Sequence, residues 1–151
     1  IKDWVEKQRK IYDDYFQELK KVNAALAYYS RVKDIILRQG QIIQEYKSAW
    51  ALFRQDKNFT PEELDYIYNI YTGMLNESLK NIDRLFLVVN AFATQMTDAK
   101  RLEIINAVGD NMELQYVDLK DFNNQNKMLS LQRAVEKGEI EYVRRLYGIS
   151  R

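Results

Sequence analysis

From Trp4 onward the apolar residues Tyr12, Tyr15, Leu19, Val22, Leu26 and Tyr29 step along the chain by three and four, the spacing that lays a single stripe down an α-helix. The stripe resumes as Val32, Ile36, Gln39, Ile43, Tyr46, Trp50 and Phe53. Between Tyr29 and Val32 a step of three is repeated where four was due, which shifts the phase of the seam. The pattern predicts one very long helix from Asp3 to about Arg54, or two nearly collinear ones bent near Ala27 to Ser30 or at Gly40. Unbroken, it would reach about 75 Å at 1.5 Å per residue, far beyond a compact globule of this size.

Helix breakers are too scarce for anything but long elements. The 151 residues hold five Gly and one Pro, and sandwiches or barrels need turn residues every few positions. The Pro marks the clearest boundary. In Phe59-Thr60-Pro61-Glu62-Glu63-Leu64, Thr60 is an N-cap and Pro61 occupies the first helical position, where its missing N–H costs nothing. Glu63 completes a capping box, and Phe59 is spaced to staple onto Leu64. The helix that follows carries Leu64, Ile67, Tyr71, Leu75, Ser78, Ile82, Leu85, Val89 and Phe92 on one face and ends near Thr94. A third helix starts at Thr97-Asp98, with Thr97 as cap and Asp98 at the positive end of the helix dipole. Its stripe reads Leu102, Ile105, Val108, Met112, Tyr116, Leu119, Phe122 and Leu129. Gly109 and the polar run Asn123-Asn124-Gln125-Asn126 are expected to weaken it, with recovery through Leu131 and Val135 until Lys137-Gly138 stops it. A short helix from Glu139 to about Tyr147 ends at Gly148 as C-cap. The predicted fold is all-α: an elongated bundle of three long helices plus a short C-terminal helix, forming one domain over residues 1–151.

Composition narrows the chemistry. The apolar fraction of 46% and the charged fraction of 30% are those of a globular domain, which argues against disorder and against a membrane-spanning body. Lys plus Arg number 23 against 22 Asp plus Glu, interleaved, so no net field draws nucleic acid or anionic lipid. His and Cys are both absent, which removes imidazole acid–base chemistry, thiol nucleophiles and the common zinc sites together. No catalytic residue, cofactor, metal or small-molecule substrate is expected. The chain begins at Ile1 without Met and has no apolar run of membrane-span or signal-peptide length, so an N-terminal piece is expected to have been removed.

Two local patterns invite a sharper interpretation. Asp56-Lys57-Asn58-Phe59-Thr60 has the alternating oxygen ligands that open an EF-hand loop, but Pro61 stands where Gly is needed and Ile67 where the bidentate Glu is needed, so capping explains it better. The paired carboxylates Asp13-Asp14, Glu62-Glu63 and Glu139 with Glu141 fall at helix starts or on polar faces. Among eleven Tyr, six Phe and two Trp, those on the stripes are core residues. Tyr28, Tyr66 and Tyr68 lie off the stripes and are candidates for a protein interface.

With these elements in place, the stretch from about Tyr46 to Gly148 resembles the TraI/TrbJ-like conjugal-transfer proteins encoded by conjugative elements of Bacteroidetes, pilus-associated components of type IV secretion systems. The resemblance is carried by the run from Asp56 to Leu64, then Met74-Leu75-Asn76-Glu77-Ser78, then the run from Met96 to Ile105, and finally Arg145-Leu146-Tyr147-Gly148. It implies export to the periplasm or cell surface through a signal peptide absent from this chain, a role in assembling or tipping the conjugative pilus, and other secretion-channel or pilus proteins as partners. A cytosolic helical adaptor or scaffold is the alternative that the stripes alone would allow.

Overall fold

The computed structural model describes Lys10, Asp13, residues 30–90 and residues 96–149, with all their side chains except those of Val89 and Asn90. Four helices make up this part: α1 (Ser30–Phe53), α2 (Pro61–Asn90), α3 (Asp98–Lys137) and α4 (Ile140–Tyr147). The expectation of three long helices plus a short C-terminal one is met. Helix α1 runs through Gly40 without interruption, so the bend suggested there does not exist. The stripe from Trp4 to Tyr29, the suggested bend at Ala27, Tyr28, and Phe92 with Thr94 lie outside the described residues, while Lys10 and Asp13 are helical and exposed.

Side-chain contacts fix the helix directions. Arg31 meets Asp110, Arg38 meets Glu113, and Asn58, just past α1, meets Ser130, so α1 and α3 run parallel. Gln39 meets Ser78 while Glu63 meets Arg133, so α2 runs against both. At 40 residues, α3 is about 60 Å long and forms the spine.

The core is the line where three stripes converge. Val32, Ile35, Ile42, Trp50 and Phe53 come from α1, Ile67, Tyr71, Leu75, Ile82 and Leu85 from α2, and Ile105, Val108, Met112 and Leu119 from α3. Aromatic residues concentrate in its middle. The Tyr71 ring meets Tyr46 at 5.1 Å, Phe122 at 5.6 Å and Trp50 at 6.3 Å, each nearly edge to face. That geometry sets the positive ring edge against the negative ring face and adds to what burial alone contributes.

Helix α3 departs from its expected pattern in two respects. The residue that turns inward near its start is Arg101, 6% exposed, while Leu102 is 41% exposed. The polar run at Asn123–Asn126 does not weaken it, because Asn123 is completely buried and bonded on both sides. Gly109 is also buried within the helix, and the Arg31 guanidinium lies where a Cβ would project, 2.5 Å from its nearest atom. A glycine at this place lets the arginine cross the helix surface on its way to Asp110.

Helix ends follow the signals in the sequence. Thr60 Oγ1 accepts from the Glu63 N–H at 3.2 Å and Glu63 Oε1 accepts from the Thr60 N–H at 3.0 Å, the reciprocal pair of a capping box. Thr97 Oγ1 accepts from the Lys100 N–H at 3.1 Å. Gly138 and Gly148 close α3 and α4 at φ 70° and 66°, left-handed conformations that a Cβ would penalise.

Candidate functional site: a polar clamp and an exposed helix face

The loop from Arg54 to Thr60 is held down by a group of side chains drawn from three parts of the chain. Asp56 is 2% exposed, a costly place for a carboxylate unless it is bonded. Its Oδ1 accepts from the Asn58 N–H at 2.9 Å, and its Oδ2 accepts from the hydroxyls of Ser130 and, at 2.7 Å, Tyr147. Asn58 Nδ2 donates to Ser130 Oγ at 3.2 Å, closing the ring of bonds. Burial first, and then the bond donated to Asp56, raise the Tyr147 hydroxyl well above its ordinary pKa, so it stays a donor.

Arg133 ties this cluster to the start of α2. Its two terminal nitrogens meet the two Glu63 oxygens at 2.8 Å each, the bidentate fork that arginine forms best, and Nη1 also donates to the Asn58 carbonyl at 2.7 Å. The bond from Arg133 and those from Thr60 lower the Glu63 carboxyl from 4.5 to about 2. On the outer side Lys57 pairs with Glu139 at 3.2 Å and lies 4.5 Å over the Tyr142 ring, whose hydroxyl donates to the Gln55 carbonyl. The residues that suggested a cation loop therefore work as a clamp. Both oxygens of Asp56 are taken by protein donors, and Thr60 and Glu63 cap α2.

A second polar relay crosses the aromatic layer. The Tyr71 hydroxyl donates to Asn123 Oδ1, and Asn123 Nδ2 donates to Glu45 Oε1 at 3.0 Å. Burial raises the Tyr71 pKa above its ordinary value, with the nearby Glu45 charge adding to the shift. Within these clusters Ser130, Asp56 and Tyr71 are 0%, 2% and 0% exposed, while Glu45, Glu63 and Tyr147 are half-buried. These clusters hold helices in register.

Two sets of side chains do meet solvent. The first is tyrosine: Tyr66 is 61% exposed, whereas Tyr68 is half-buried with its ring 6.1 Å from that of Trp50. The second is an apolar face on α3; the single stripe expected for this helix takes in its Leu131 and Val135 but not Leu114, Val117 or Met128. Leu114 and Met128 are each 63% exposed, Val135 57% and Val117 52%, and Leu131 is half-buried among them. They point away from Val108, Met112 and Leu119, and an open groove runs along Asp121, Gln125, Met128 and Val135. The signal was legible: 114, 117, 121, 124, 128, 131 and 135 repeat every three and four just as the inner stripe does.

Among the described residues no group of three or more acidic or other ligating side chains is placed to hold a metal ion, and no helix is long and apolar enough to cross a membrane. No protein-family model, curated protein or solved structure matches the chain.

Proposed function

We propose that this chain is a non-enzymatic, exported component of a conjugative type IV secretion system, acting through protein–protein contacts in pilus assembly or at the pilus tip. The observation that carries the protein-binding part is the apolar face of α3. Its side chains are more than half exposed at four positions of one helix, while the buried polar residues of the clamp are bonded. Apolar side chains grouped at helical spacing on an otherwise polar surface mark contact sites for other proteins. The conjugative part rests on the ordered resemblance described above, whose first run, Asp56 to Leu64, supplies much of the clamp, and whose third, Met96 to Ile105, opens α3. Partners on this reading are pilus or channel subunits, and the compartment is the periplasm or cell surface.

Deletion of the gene from its conjugative element tests the proposal. Transfer to a recipient should be abolished, growth of the donor should be unchanged, and the intact gene supplied in trans should restore transfer. Unaltered transfer frequency would sink it. Fractionation of tagged protein expressed from the complete gene provides a second check, and recovery from the cytosol would point to an internal adaptor instead.

A further inference from the structure

The outer face of α3 is complementary to itself. Its seven seam positions read Leu114, Val117, Asp121, Asn124, Met128, Leu131 and Val135. Laid against a second copy running the opposite way, with a two-fold axis between residues 122 and 123, they pair Leu114 with Leu131, Val117 with Met128, and Asp121 with Asn124. Each of these four apolar positions meets an apolar one, while Val135 lies beyond the paired run, opposite Asp110. The one charged position meets an amide that can donate to it. A parallel, in-register pair would instead set Asp121 against Asp121, two like charges in the middle of the seam, which disfavours that arrangement. A surface that matches itself about a two-fold axis is what a closed dimer requires.

We infer that two copies of this chain associate antiparallel through the outer face of α3. A second copy is thus an occupant of the same face that carries the protein-binding part of the proposed function, so dimerisation and partner binding exclude each other there, and the inference does not depend on the conjugative assignment. The seam from Leu114 to Val135 is about 32 Å long. Covering it on both copies, with the stems of flanking Lys120, Lys127 and Gln132, buries on the order of 1,000 Å² in total, the lower limit for a specific interface. The dimer is therefore a weak one that forms at micromolar protein and dissociates on dilution.

The chain lacks cysteine, which makes directed cross-linking clean. Two variants of the whole chain, Val117→Cys and Met128→Cys, would be oxidised separately and as a mixture. A disulfide needs Cα atoms within about 7 Å. In the antiparallel pair position 117 faces 128 of the other copy, while like positions lie about 16 Å apart along the axis. Only the mixture should cross-link, and sedimentation velocity on the parent should show a dimer that grows with concentration. The double variant Val117→Glu/Met128→Glu should stay monomeric with unchanged helical circular dichroism, since both positions are more than half exposed. The inference is overturned if the parent is a monomer at every concentration, if each cysteine variant cross-links to itself as readily as in the mixture, or if the double glutamate variant still dimerises. It is equally overturned by a monomer in which the thiol at position 128 resists alkylation, because another segment of the same chain would then cover the face.

Discussion

Replacing Asn123 by alanine would break a buried relay at both ends. The Tyr71 hydroxyl loses its acceptor inside the aromatic layer, while Glu45, nearer the surface, can turn to water. An orphaned buried hydroxyl plus the small cavity left behind should cost about 2 kcal/mol, lowering Tm by roughly 4–8 °C for a domain of this length. Thermal unfolding followed by circular dichroism measures it. Removing both partners, as Asn123→Leu with Tyr71→Phe, should recover much of the loss, because two apolar groups in contact leave nothing unbonded. If Asn123→Ala melts at the parent temperature, the relay contributes no stability. Asparagine is a poor helix former, and that propensity is what the sequence offered at position 123. Its role depends on Tyr71, 52 residues earlier, and no local pattern reports such a partner.

The starts at Thr60 and Thr97 and the stops at Gly138 and Gly148 are written in local chemistry, so they are readable to the residue. Thr60 with Glu63, Thr97, Gly138 and Gly148 all act as their types and spacing require. The face that α3 turns to the core was less legible, because a helix with apolar residues on two sides gives two stripes of equal standing. The sequence reading began its stripe at Leu102, yet Arg101 turns inward, paired with Asp98. The clamp was half legible. Its Thr60–Glu63 part is local, but Asp56 finds Ser130 74 residues on and Tyr147 91 residues on. Glu63 also links elements, joining the start of α2 to Arg133 of α3. Its carboxyl is lowered from 4.5 in the folded state to about 2, so folding favours the ionised form. The stability this contributes is complete above the ordinary carboxylate range and is lost as pH falls through about 2. Because the pair is partly solvated, the effect is about 1 kcal/mol. Glu63→Gln should accordingly show a flatter loss of stability than the parent between pH 4.5 and 2 in urea titrations. Identical acid limbs would show that the pair contributes nothing.

Among the described residues the longest dimension is that of α3. A straight element about 60 Å long has by itself a radius of gyration of about 17 Å, against about 15 Å for a compact domain of 151 residues. With shorter helices packed along it, the whole should still exceed the compact figure, so small-angle scattering at low concentration should give a value above about 15 Å, and a value at or below that would mean that the long helix does not persist in solution. The tie between Asp56 and Tyr147 adds a constraint in time. A chain made at about 5–20 residues per second emerges with its loop carboxylate some 5–18 seconds ahead of the phenol that will cover it. Until then that carboxylate has the local Asn58 N–H and, once residue 130 is out, the Ser130 hydroxyl, with water in place of the phenol. The clamped end of the bundle therefore becomes rigid only with α4, which leaves the nascent protein pliable there until Tyr147 has emerged.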